Sequence, residues 1–160
     1  MPAPLDPDDL DTGTLALFVG SAAASAVQDH LTACGFDGLR MSHGYLFQHL
    51  IDGSPTIRDL AAALDMTQQG ASKAVAELER LGYAERRPDP QDARIRRVAL
   101  TPRGHEAVDA ARRARAEMEE RLRERLGAHG LDTARSLLGD LLDEFGGSEA
   151  VRRRRVRPPR

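Results

Sequence analysis

Asp92 and Arg94 stand two residues apart in the run Asp89-Pro90-Gln91-Asp92-Ala93-Arg94. A side chain that enters the minor groove of duplex DNA must be long, cationic and held straight, and Arg94 meets the first two demands. Asp92 is spaced to pair with Arg94, or with another nearby arginine, and hold its direction. Arg86, Arg87, Arg96 and Arg97 flank the run and can meet phosphates. Upstream, Gln69, Ser72, Lys73 and Arg80 recur at spacings that place them on one side of a helix. Gln and Lys reach base edges; Ser and Lys also take phosphates. Gly70 and Ala71 keep the start of that helix slim, and its first amides favour an anion. Each group alone is equally the description of a solvated surface, where an ion pair contributes only about 0–1 kcal/mol. Together they point to a DNA reader.

The elements that must position these groups are legible from caps and periodicity. Leu15, Phe18, Val19, Ala22, Ala26 and Val27 follow the three-four spacing of a first helix over 14–34, stopped by Gly35. Ser42 caps a second, His43 to Ile51. Thr56 caps a third, Ile57 to Leu64, with Asp59 completing a capping box. Thr67 caps a fourth, Gln68 to Leu81, followed by Gly82. Ala61 supplies the small residue at which two helices cross steeply. Asp65 occupies the turn position often held by Gly, and Asp tolerates the left-handed conformation. Tyr83 to Arg87 and Ile95 to Leu100 read as the strands of a hairpin. Thr101 caps, and Pro102 opens, a long helix to about Leu126, striped by Ala107, Ala111, Ala114, Met118, Leu122 and Leu126. Gly127 to Gly130 break it, and a last helix runs from about Asp132 to Phe145. The fold class expected is mainly α with a small β-hairpin wing: a winged helix-turn-helix (40–101) plus a helical dimerisation lobe (14–34 and 102–145) in one domain, 14–150. An acidic N-terminus, 1–13, and an Arg-rich tail, 151–160, are expected to be disordered.

Charge supports this division. The net charge of −2 conceals an excess of seven acids over residues 1–66 and of three bases over 67–103. Residues 104–150 are acidic by four, and the last ten carry six arginines and no acid. Positive charge thus gathers on the fourth helix, the hairpin and the tail, where a polyanion is drawn. With aromatic residues at 4% and no Trp, the core must be Leu, Ala and Val, which suits helices. One cysteine, Cys34, excludes an internal disulfide framework and fits the cytoplasm. Neither a signal-peptide pattern nor a run of roughly 20 apolar residues is present, so no membrane association is expected.

Three segments carry a family resemblance: Leu78-Glu79-Arg80-Leu81-Gly82-Tyr83-Ala84-Glu85-Arg86, the Asp-Pro-x-Asp-x-Arg tip at 89–94, and Leu100-Thr101-Pro102-Arg103-Gly104. The chain resembles the MarR family of transcriptional regulators, closely over 40–105 and in helix order over 14–145. The resemblance implies a homodimer built by the first, fifth and sixth helices, a palindromic double-stranded DNA operator, and repression relieved by a small ligand or by oxidation. It carries recognition-helix contacts onto Gln68, Gln69, Ser72 and Lys73, the minor-groove role onto Arg94, and its brace onto Asp92. With Thr67 at the helix start and Arg86 and Arg96 on the wing, these form the expected DNA-binding set. The dimer is also expected from the residues themselves, because the apolar stripes outside the central lobe exceed what one copy can bury.

Effector chemistry is sparsely written. In the family the pocket lies between dimer helices and DNA-reading lobe, and His30, His43 and Phe47 are its candidate lining. His43 and His49 are six apart, which is not metal spacing on one helix face, so no metal and no cofactor is expected. Cys34 lies at the end of the first helix rather than near its start, where some relatives sense peroxides. No catalytic constellation is evident, and an enzyme is not expected. The alternative is a winged helix that grips another protein, which would not need Arg94 and its basic flanks.

Overall fold

The computed structural model describes residues 6–156. After a 3-10 turn at Pro7–Asp9 come α1 (Thr12–Ala33), α2 (Met41–Leu50), α3 (Ile57–Leu64), α4 (Gln68–Arg80), β1 (Ala84–Pro88), β2 (Arg96–Leu100), α5 (Pro102–Glu144) and α6 (Ser148–Arg152). The fold is mainly helical with one two-stranded antiparallel sheet, as the sequence predicts.

The three threonine caps act as expected. Thr56, Thr67 and Thr101 each accept a hydrogen bond from the backbone N–H three residues on, and Asp59 returns the bond to Thr56. Asp65 takes the left-handed conformation at the turn between α3 and α4. Leu60, Leu64, Val75 and Leu78 interlock beneath it with Tyr83, Val98 and Leu100. The hairpin pairs Ala84 with Leu100 and Arg86 with Val98, placing these four on one face of the sheet. A segment ahead of α3 flanks it, where Val98 N–H donates to the Pro55 carbonyl at 2.8 Å.

Several boundaries differ from the sequence reading. α1 begins at Thr12, capped by the Asp11 carboxylate, inside the stretch expected to be disordered. α2 starts at Met41, because Arg40 and not Ser42 holds the cap position, with His43 Nδ1 accepting from the Arg40 N–H at 3.1 Å. β1 runs on to Pro88, whose missing N–H is harmless at a strand end. The break expected over 127–130 narrows to one residue: Gly127, at φ 71° and ψ 164°, turns the chain between the two legs of α5, and helix resumes at once. At the C-terminus, α6 ends within the segment expected to be a disordered tail. Arg154 pairs with Asp52, and Gln48 Nε2 donates to the Val156 carbonyl at 3.3 Å. Residues 1–5 and 157–160 of the two segments expected to be disordered lie outside the described residues.

α1 packs on the first leg of α5 through Val27, Leu31, Ala107, Ala110 and Ala114. Its other face is bare. Leu15, Leu17, Phe18 and Val19 are exposed, as are Leu122, Leu126, Leu137, Leu138 and Leu142 on α5 and Phe145 at its C-cap.

Candidate nucleic-acid interface

α4 presents Gln68, Gln69, Lys73, Ala76 and Arg80 to solvent, while Ala71, Val75 and Leu78 bury its other side. Thr67 Oγ1 accepts from Gly70 N–H at 3.0 Å, so this hydroxyl serves first as the helix cap. The half-buried Ser72 is tied to the wing: Arg86 donates to its Oγ at 3.2 Å and its carbonyl at 3.3 Å. Arg86 also pairs with Glu79 at 3.0 Å. Expected to meet phosphates, Arg86 instead fastens β1 to α4. The cause is its register: opposite Val98, it lies on the sheet face that turns to the helices.

The wing tip is built by two aspartates. Asp92 Oδ1 accepts the backbone N–H of Arg94 at 3.0 Å, so it fixes the main chain and not the guanidinium. Asp89, which sequence reasoning passed over, is the buried anchor. Its Oδ1 accepts from Gln91 N–H at 2.7 Å and Asp92 N–H at 3.2 Å, and its Oδ2 accepts from Arg97 Nε. An Asp opening a turn before Pro was the available signal. Arg97 is braced in turn by the Ser54 carbonyl at 3.1 Å.

These bonds sort the charges of the interface. Glu77, Glu79, Glu85 and Asp89 are each engaged by an arginine: Arg40, Arg86, Arg87 and Arg97. Among the described residues, the side chains of Lys73, Arg80, Arg94 and Arg96 have no ion-pair partner. Asp92, by contrast, accepts a backbone N–H and has no ion-pair partner among the described residues, and the unpaired cations lie on α4 and the wing. A surface of this kind attracts a polyanion.

The hydrogen bond from Arg97, and then that from Gln91, hold the Asp89 carboxyl below the usual carboxylate range. A group whose pKa is depressed on folding contributes stability above its unfolded pKa of about 4 and loses it as pH falls through the folded value. Asp89→Asn should therefore speed amide exchange at Gln91 and Asp92 at pH 7. The gap to wild type should narrow as pH falls through the depressed pKa of the folded state, where the native carboxyl also becomes neutral. A pH-independent gap would show that charge at Asp89 does not hold the tip.

Behind this surface lies a cavity of about 480 Å³ between α1, α2 and the first leg of α5. Of the three residues expected to line a ligand pocket, His43 and Phe47 line this cavity. His30 does not: it lies off the packed side of α1, with Nε2 3.5 Å from Cys34 Sγ, one helical turn on. The lining is otherwise apolar apart from Gln28, Gln48, Arg40, Arg112 and Arg115. His43 is 3% exposed. Burial pushes its imidazole below the usual histidine range, with Glu77 acting in opposition. Among the described residues no group of three His, Cys, Asp or Glu is placed to hold a metal ion, and no helix is long and apolar enough to cross a membrane.

Comparison with known proteins bears on this geometry. Residues 38–95 match the sequence model of the MarR family. A MarR family transcription regulator of known structure superposes with a TM-score of 0.62 at 25% identity, over 84% of this chain and 85% of that one. A mutant of S. aureus MepR bound to an oligodeoxyribonucleotide gives 0.59 at 25%, over 86% and 99%. S. aureus MepR bound to ethidium bromide gives 0.62 at 22%, over 86% and 99%. No curated protein matches the sequence. The matched segment spans α2 to the wing tip, where the helix pair, the two tip aspartates and Arg94 stand, and the likeness in fold extends through the flanking helices: over residues 38–95 the chain is similar to the MarR family, and its fold is the one these regulators share.

Proposed function

We propose that the protein is a homodimeric transcriptional repressor that binds a palindromic operator and is released from it by a small ligand. The observation that carries the reading is the sorting of charge on the α4–wing surface. Four carboxylates there are engaged by arginines, while Lys73, Arg80, Arg94 and Arg96 remain available to DNA. α4 suits the major groove, with Gln68, Gln69 and Lys73 toward bases and phosphates and Thr67 and Ser72 at its near edge. Arg94, on a tip whose backbone Asp89 and Asp92 fix, suits the minor groove, and Arg96 the flanking phosphates. Arg86 supports this surface from behind. The exposed apolar faces of α1 and α5 suit a second copy, which would set two readers on two half-sites. The cavity bounded by His43 and Phe47 suits the ligand. MepR, similar in fold, has been seen with an oligodeoxyribonucleotide and with ethidium bromide.

A gel shift on the protein's own upstream DNA, at two salt concentrations, tests the reading. Affinity should fall steeply with salt. Arg94→Ala should weaken operator binding by about 1–3 kcal/mol, leaving melting temperature unchanged. Unchanged affinity would remove the wing from the mechanism. A winged helix that grips another protein would retard no DNA at either salt.

A further inference from the structure

The arginine run that follows α6 is docked on the lobe that carries the wing. α6 closes in a Schellman turn: Arg154 N–H donates to the Val151 carbonyl at 3.0 Å, and Arg155 N–H to the Ala150 carbonyl at 2.7 Å. Arg154 takes the left-handed position of that turn, at φ 52°, where glycine is the usual residue. Two contacts from outside meet the turn. The Arg154 guanidinium pairs with Asp52, just past the end of α2, and Gln48 Nε2, one helical turn earlier, donates to the Val156 carbonyl at 3.3 Å. The chain is thus clamped on either side of Arg155.

This dock adjoins the wing. Asp52 is the only charged residue from Leu50 to Ile57. The turn it opens continues to Ser54 and Pro55, whose carbonyls accept from Arg97 Nη1 at 3.1 Å and from Val98 N–H at 2.8 Å, and Thr56 bridges to Arg97. Two residues of chain span at most about 7 Å, so the Asp52–Arg154 pair stands at the flank of β2. The arginines of the run differ in what they face. Arg152 and Arg153 meet Glu149 of their own helix, and Arg154 meets Asp52. Arg155, exposed between the two clamps, has no ion pair among the described residues.

We propose that the docked run is a further DNA-contacting arm: Asp52 and Gln48 fix Arg154 to Val156 against the flank of the wing, so that Arg155 meets a backbone phosphate outside the stretch read by α4 and Arg94. The inference rests on the DNA-binding reading above and extends it beyond the recognition helix and the wing tip. The Asp52–Arg154 pair serves this arm twice. It neutralises an acid beside β2 that would otherwise repel phosphates, and it orders Arg155 before DNA arrives, which lowers the entropic cost of the contact. A phosphate contact carries no sequence information, so the arm adds affinity for operator and random duplex alike.

The full-length protein is titrated, by fluorescence anisotropy over a range of salt, against a random-sequence duplex and against its own upstream DNA. Arg155→Gln should weaken both complexes severalfold and lower the slope of log affinity against log salt by about 0.9 per copy bound, leaving the ratio of the two affinities unchanged. Arg152→Gln is the control: its guanidinium faces Asp143 and Glu149, so the slope should stay as in wild type. An unchanged slope in Arg155→Gln overturns the proposal and leaves the run a structural strap. An equal fall in Arg152→Gln overturns it too, since charge anywhere on the run would then serve. A double-mutant cycle with Asp52→Asn separates a docked arm from a loose one. In that background Arg155→Gln should cost less affinity than it does in wild type, and equal losses in both overturn the docked placement. The dock is also read without DNA, where Asp52→Asn should speed exchange of the Arg155 amide; an unchanged rate overturns the clamp. If wild type binds neither duplex, the DNA-binding reading falls and the arm with it. If wild type binds both with a steep salt dependence and Arg155→Gln matches it, only the arm falls.

Discussion

Leu138→Asp should leave the protein a monomer or an aggregate and lower operator affinity by roughly two orders of magnitude or more. Leu138 is 49% exposed, on the second leg of α5, and its neighbours Leu137 and Phe145 are 59% and 67% exposed. Leu17 and Phe18 of α1 are 65% and 51% exposed. Large apolar side chains in such number on two elements are not characteristic of a solitary soluble surface. The sequence predicts the dimer from the same stripes, and the bare faces of one copy are what a second copy would cover. A carboxylate placed there loses its hydration without gaining a partner, at a cost of several kcal/mol. The effect on DNA is larger than that on any single contact, because two linked readers gain a local concentration that a monomer forfeits. Light scattering and a gel shift on the same preparation check it. A well-behaved dimer with wild-type DNA binding would remove the second leg of α5 from the interface.

What the sequence makes legible, and what it conceals, follows from the range of each interaction. Thr56, Thr67 and Thr101 are readable as caps because the acceptor and the N–H it satisfies lie three residues apart. Asp65 is readable because its backbone conformation is a property of one residue. The fate of Arg86 required the hairpin register: period-two alternation from Ala84 already assigns it to the packed side, but only the pairing with Val98 shows that side to be occupied. The pairing of Asp89 with Arg97 crosses the hairpin, whereas sequence distance favours Asp92 with Arg94. His30 and Cys34 are one helical turn apart, a local relation that helical spacing could have exposed. Arg40, His43 and Glu77 could not have been grouped, since 37 residues and two helix crossings separate the ends of that cluster. α6 reads Ser-Glu-Ala-Val-Arg, and the Gly146-Gly147 pair before it and the arginine run after it mask so short a helix; Arg154, just past its end, pairs with Asp52.

Gly104→Ala should melt the protein at a temperature lower by about 5 °C or more. On propensity alone the change would stabilise a helix by about 1 kcal/mol, so the expected sign depends on packing. A methyl group on Gly104 would fall far inside van der Waals contact of the Tyr83 carbonyl oxygen and 3.2 Å from Leu100 Cδ2. Neither side can withdraw. The Tyr83 carbonyl accepts the Thr101 N–H at 3.1 Å, and the ring of Tyr83 is fully buried, its hydroxyl donating to the Asp37 carbonyl at 2.9 Å. Thr101 Oγ1 donates to the Gly82 carbonyl at 2.6 Å while accepting the Gly104 N–H at 3.1 Å. Arg103 closes the joint from outside, over the Phe36 and Tyr83 rings at 5.6 Å and 5.0 Å. The Leu-Thr-Pro-Arg-Gly run is thus the seam at which the wing meets α5, and Gly104 is where the two backbones touch. Overpacking of such a seam costs about 1–3 kcal/mol where side chains can adjust and more where backbone must move, which exceeds the propensity gain. At about 2–4 °C per kcal/mol for a chain of this size, the net loss gives the shift stated. Gly44→Ala is the control. It is helical too, but a methyl there meets nothing within 4 Å, so it should leave the melting temperature unchanged or raise it slightly. α5 would have to shift off the wing to admit the methyl at Gly104, and Arg94 would move with the hairpin. Operator affinity of the surviving fold should therefore fall as well. A Gly104→Ala variant that melts at or above the wild-type temperature would mean that wing and α5 are not in backbone contact, and the orientation of Arg94 would then need another support.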